Sequence, residues 1–165
     1  MITTLNVEHR EHRTARPFAE VLTAFDKATG SVEEGFSQIA KQIDSLDSFE
    51  REFKAREGTS GFMRFQVLNH GQWLTRFYDQ PTKAVMIILG NPLLAITMLK
   101  HDVGAGLNVP VRIYIYESDD GGTRVAYDVP STLMGNLSEA AQAAAKNLDH
   151  KLAALIADIT GEQTA

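Results

Sequence analysis

The sequence predicts an α+β domain: a mostly antiparallel sheet covered on one face by helices, one of them long and C-terminal. Three observations carry that reading. Lys83 to Leu89 is a continuous apolar strand, the pattern of a strand inside a sheet. Asp119-Asp120-Gly121-Gly122 separates two alternating segments and reads as a β-hairpin. Ala141, Ala145, Leu148, Leu152, Leu155 and Ile159 recur at steps of four and three, one apolar seam along a single helix.

The remaining elements follow in order. Ile2, Leu5 and Val7 alternate imperfectly with polar residues, so a first strand is predicted over residues 2–12. Pro17 suits a first helical turn, and Phe18, Val21, Leu22 and Phe25 form an amphipathic helix ending near Gly30. Ser31-Val32-Glu33-Glu34 has capping-box spacing, which predicts a second helix from there. Its apolar stripe runs through Phe36, Ile39, Ile43, Leu46, Phe49 and Phe53 toward Gly58, with a break expected at Asp44-Ser45. Phe62 to Val67 reads as a strand, Leu68 to Tyr78 as a short helix or turn. Asn91 is a helix N-cap and Pro92 the first helical residue of a short helix through Lys100. Gly104-Ala105-Gly106 is a turn. Strands follow over residues 110–117 and 123–128, and Ser138 caps the last helix.

A chain of 165 residues predicts one domain, residues 1–165. Apolar residues at 44% and charged residues at 22% suit a globular protein with a sizeable core. A net charge of -5 argues against a nucleic-acid partner, because backbone phosphates demand a basic surface. The absence of cysteine removes disulfides, thiolate metal sites and a cysteine nucleophile, and fits a reducing compartment. The N-terminal segment is too polar for a signal peptide, and the one long apolar run, 84–99, is broken by Gly90-Asn91-Pro92. A cytoplasmic protein without a membrane partner is the expectation.

The block from Lys83 to Pro130 combines the apolar strand into Gly90-Asn91-Pro92, His101-Asp102, Leu107, Pro110-Val111-Arg112, Tyr116-Glu117, Gly122-Thr123, Tyr127 and Pro130. In that combination it resembles the DUF302 family, a widespread bacterial and archaeal domain of unknown function. The resemblance implies a β-α-β(4)-α fold, related to the sheet-with-long-helix arrangement of TATA-binding-protein and helix-grip domains. It also implies a homodimer. It implies no activity and no catalytic residues. The helical segment 31–60 is longer than the usual family connection and reads as an insertion.

Several constellations could carry chemistry. Gly90-Asn91-Pro92 joins a strand end to a helix N-terminus, which suits an anionic group. The same three residues are equally a turn, a cap and a helix start. His101 beside Asp102 suits a general base, or else a helix C-terminus and a cap on the following turn. Arg112, Tyr114 and Tyr116 share one strand face, opposite Val111, Ile113 and Ile115. That aromatic and cationic face suits a dimer interface, a pocket or plain solvent contact. His70 and Trp73 are neighbours on one helical turn, the usual outcome being a buried Trp with a hydrogen-bonded His. His9, Glu11 and His12 look metal-like, but strand geometry separates His9 from His12 and no third ligand is identified. No metal or cofactor is expected. Neither a nucleophile elbow nor a phosphate loop is present.

Three functions are compatible with these residues. The first is a homodimeric module holding a small apolar or amphipathic ligand between the sheet and the long helix. Asn91, His101, Asp102, Arg112, Tyr127 and His70 are its candidate contacts. The second is a hydrolase- or isomerase-like enzyme with His101 or His70 as acid-base and Tyr127 as proton donor. The third is a purely structural or interaction protein dimerising through the Arg112 face.

Overall fold

A computed structural model describes residues 1–33 and 35–162. Its elements are β1 (His9–Thr14), α1 (Phe18–Ala28), β2 (Gly30–Ser31), α2 (Phe36–Lys41), α3 (Leu46–Lys54), β3 (Met63–Asn69), α4 (His70–Tyr78), β4 (Ala84–Gly90), α5 (Pro92–Leu99), β5 (Val111–Glu117), β6 (Thr123–Asp128) and α6 (Glu139–Thr160). Short 3-10 turns cover Val103–Leu107 and Pro130–Met134. The strands form one sheet in the order β1-β6-β5-β4-β3-β2, antiparallel throughout except for β2 beside β3. The α+β class and the one-sided helical cover are as the sequence predicts.

The two-residue period of a strand sorts the central strands into two faces. Val85, Ile87 and Leu89 of β4 stand opposite Ile115, Ile113 and Val111 of β5, and Ile115 stands opposite Val125 of β6. All seven are buried. The α6 seam from Ala141 to Ile159 is buried as well, and Phe18, Val21 and Phe25 of α1 close the same core. The interior beneath α6 is therefore filled. Ser138 caps α6, its side chain accepting from the Ala141 amide.

A second, smaller core surrounds α2 and α3. Val32, Ile39, Phe53 and Met63 are its buried members, with Ile43, Phe49, Phe65 and Leu93 packed beside them. The segment leaves and rejoins the main body at a tight crossing of residues 28–30 and 56–58. The Gly30 and Gly58 amides both donate to the Phe62 carbonyl, and the Ser60 amide donates to the Ala28 carbonyl. A Cβ on Gly30 would run into the Arg56 carbonyl, and one on Gly58 into Ala28 and Thr29 backbone, so neither position admits a side chain.

Two expectations are corrected. The first strand starts at His9, not near residue 2. Its ladder begins with His9 opposite Asp128, and β6 offers no partner upstream of that pair. Ile2 and Val7 are consequently exposed. The helix expected from Ser31 is displaced by strand β2, because the Gly30 and Val32 amides donate to the Phe62 and Arg64 carbonyls instead. Helix α2 begins only at Phe36, after Gly35. Glu34 of the expected capping box lies outside the described residues. The break at Asp44-Ser45 is real and has its own capping box, with Ser45 and Ser48 satisfying each other's backbone amides.

Truncating Leu152, fully buried under the sheet, should cost about 2–5 kcal/mol of stability. Urea denaturation of Leu152→Ala against the parent chain measures this, and a loss below 1 kcal/mol on the order of a surface change would contradict the packed core described.

Candidate functional site

Two cavities flank the end of β5. One is apolar and lies where the two cores meet. Strand β4 ends at Gly90, and the Asn91 side chain then accepts the Leu93 amide at 2.8 Å, starting α5 with Pro92 in its first turn. The Asn91 amide group donates to Glu57 Oε2 at 2.7 Å and to the Gly61 carbonyl at 2.9 Å. Asn91 is 5% exposed and fully engaged. It locks the second core against α5 and has no donor left for an anion. Beside it opens a cleft of about 420 Å³. Phe36, Phe49 and Phe65 form one wall and Leu94, Met98 and Leu99 the other, with Leu148 of α6 at the margin. Phe36 holds the aromatic wall together, its ring 5.1 Å from Phe65 and 5.9 Å from Phe53. The apolar space expected between sheet and long helix is thus moved to the α5 end, because the α6 seam fills the rest.

The second cavity is a broad groove of about 790 Å³ on the face of the sheet that no helix of the main core covers. Its floor is Met86, Ile88 and Ala126, with Arg112, Tyr114 and Tyr116 rising from β5. The groove carboxylates already have partners. Glu11 accepts from Arg124 at 2.8 Å and from the Tyr116 hydroxyl, and Asp128 lies 2.8 Å from His9 Nδ1. The Tyr116 hydrogen bond, with help from Arg124, holds the Glu11 carboxyl below its ordinary value. The same bond raises the Tyr116 phenol. Asp120 in the hairpin falls to about 2, chiefly through the Ser118 hydroxyl and the Gly122 amide, with Arg13 and Arg124 nearby.

The six candidate contacts do not converge. Asn91 and His101 stand beyond opposite ends of α5, whose eight residues span about 12 Å. His101 is exposed. Asp102 is structural: its carboxylate accepts from Gly104 at 2.9 Å and from Ser138 at 3.0 Å, tying the 3-10 turn to the start of α6. Arg112 and Tyr127 occupy opposite faces of the sheet, since Arg112 pairs with Ile88 and Tyr127 follows Val125 on the covered side. Tyr127 is buried and stacks on His12, with ring centroids 5.9 Å apart. Its hydroxyl makes no hydrogen bond of normal geometry, although the Arg10 guanidinium is close enough to interact. His70 belongs with the groove: its ring lies 5.1 Å from Trp73 and 5.8 Å from Tyr114. Trp73 is 51% exposed, contrary to the buried Trp expected, because Gly71 is the one buried residue of α4 and Trp73 lies on its outer side. His9 and His12 each face a single carboxylate, Asp128 and Glu162. Among the described residues no group of three or more His, Cys, Asp or Glu converges.

Two features were missed from sequence. The Phe36, Phe49 and Phe65 wall was hidden because Phe36 and Phe49 read as part of one amphipathic stripe. The Glu11-Arg124-Tyr116 network joins residues more than 100 positions apart, and only the β1-β6-β5 pairing brings them together.

A one-sided sheet-and-helix domain with a cleft beside its α2–α3 segment and an open polar-aromatic face is the class these observations define. The profile described as "Domain of unknown function DUF302" matches residues 37–159. The chain belongs to the DUF302 family. It is similar to the crystal structure of an uncharacterized conserved DUF302 protein from Bacillus stearothermophilus, with TM-score 0.64 and 20% identity over 92% of this chain and 97% of that one. At that identity the likeness concerns the fold. No curated protein matches the chain. Among the described residues no helix is long and apolar enough to cross a membrane.

Removing the Tyr116 hydroxyl should let the Glu11 carboxyl titrate closer to its ordinary value. Because Glu11 is depressed in the folded chain, its contribution to stability is present above the ordinary value and lost as pH falls through the folded one. Carboxylate NMR titration of Tyr116→Phe reads the shift directly. An unchanged Glu11 would show that Arg124 alone holds it down.

Proposed function

We propose that the chain is a binding module for a small apolar ligand held between α5 and the Phe36-Phe49-Phe65 wall. The cleft itself supports this most strongly. Its volume of about 420 Å³ lies in the range of small-molecule pockets, and its side-chain walls are almost wholly aliphatic and aromatic. An apolar hollow of this size held open beside a buried, fully bonded Asn91 is a space that water fills poorly. The lack of cysteine in the sequence supports a reducing compartment such as the cytoplasm.

A neutral solvatochromic dye such as Nile red tests the reading. Ala95 lines the cleft, and Ala95→Phe fills it. The dye should bind the parent chain with a blue-shifted emission and lose about tenfold or more in affinity for Ala95→Phe, equivalent to about 1.4 kcal/mol. Equal binding by both chains, with circular dichroism showing both folded, would remove the proposal.

A second reading, self-association, rests on α4. Trp73, Phe77 and Tyr78 are 51%, 67% and 72% exposed, and Arg76 lies over the Phe77 ring. Such Trp, Tyr and Arg clusters are typical of interface anchors. Light scattering of the Trp73→Ser, Phe77→Ser double variant should report a monomer where the parent chain is a dimer. A parent that is itself monomeric would end this reading.

A further inference from the structure

We propose that the open face of the sheet is a second binding site, taking a small organic anion with a flat apolar body, and that Arg112 is the group that clamps the anion. Three observations meet there. The first is the groove itself, about 790 Å³ over a floor of Met86, Ile88 and Ala126, a half-apolar strip in the middle of a sheet where the other face is wholly covered. The second is the charge left over. Among the described residues every other arginine has a partner. Arg10, Arg13, Arg51, Arg56, Arg64 and Arg124 pair with carboxylates. Arg16 donates to the end of α6, and Arg76 covers the Phe77 ring. Among the described residues the Arg112 side chain makes no ion pair, hydrogen bond or ring contact, and it stands exposed on the groove wall. The carboxylates that share the groove do not compete for it, because Glu11 is held by Arg124 and Tyr116 and Asp128 by His9.

The third observation is the line of rings beside it. Tyr116, Tyr114, His70 and Trp73 follow one another with centroids 5.3, 5.8 and 5.1 Å apart, leading from the groove to the edge of α4. A flat apolar body can lie over Met86 and Ile88 against the Tyr114 ring, while a carboxylate, sulfonate or phosphate accepts two parallel N–H bonds from the Arg112 guanidinium. That fork geometry is what arginine offers and lysine does not. The floor alone would accept many apolar molecules, and the unpaired cation selects the charged ones.

Naphthoate and its neutral counterpart naphthylmethanol probe the site, read by NMR shifts of the Arg112 Nε–H and the Tyr114 amide. Naphthoate should produce saturable shifts there, and naphthylmethanol should bind about tenfold or more weakly. Arg112→Gln should weaken naphthoate about tenfold or more, the loss of a charge-assisted pair, and Arg112→Lys should fall between. Ala95→Phe, which blocks the apolar cleft, should leave these shifts unchanged, so the two sites fail independently. Naphthoate affinity that is unchanged in Arg112→Gln, or shifts that appear only around Phe36 and Leu99, would overturn the assignment.

Discussion

The molecule depends on one arrangement: the aliphatic faces of β4 and β5 lie against the seam of α6. Ile87 and Ile113 are direct neighbours across the ladder, and Leu152 and Ile156 are fully buried in the same core. Because a strand alternates its side chains, committing one face to this core commits the other to a different environment. Each buried aliphatic side chain contributes about 1.5–3 kcal/mol of transfer free energy, so the covered face dominates stability. The other face contributes little to folding and is free to carry Arg112, Tyr114 and Tyr116.

The apolar cleft has a different origin. The segment containing α2 and α3 builds a core of its own around Phe53 and Met63. The two cores do not close completely where they meet, and Gly90 and Pro110 line the cleft that is left. Asn91 fixes the distance between them by bonding to Glu57 and Gly61 on one side and to Leu93 on the other. The glycines at 30 and 58 matter for the same reason: they set the neck through which the segment is attached.

Much of this was legible in the sequence. The strand into Gly90, the Asn91 cap with Pro92, the hairpin at Gly121-Gly122 and the α6 seam are all local patterns, and local patterns survive folding. The short strand β2 was not legible, because Ser31 carries a cap signal that pairing with β3 overrides. Nor was the start of β1, whose extent is set by where β6 ends. The site was harder still. Placing Arg112 with Tyr114 and Tyr116 needed only strand alternation. Placing Tyr127 on the opposite face needed the register of the hairpin, and joining Asn91 to Glu57 needed a contact across 34 residues. His101 looked reactive beside Asp102, yet Asp102 is occupied with the backbone of Gly104 and Ser138.

The central claim is that one face of the sheet is sealed and the other open. Four internal methionines report on it. Met63, Met98 and Met134 are 0–1% exposed on the covered side or in the second core, whereas Met86 lies half-buried on the open face. Thioether oxidation follows solvent access. Limited treatment of the ligand-free chain with hydrogen peroxide, followed by peptide mass spectrometry, should oxidise Met86 well ahead of the other three. Oxidation of Met86 as slow as that of Met98 would mean that the face is covered, and the account would fail.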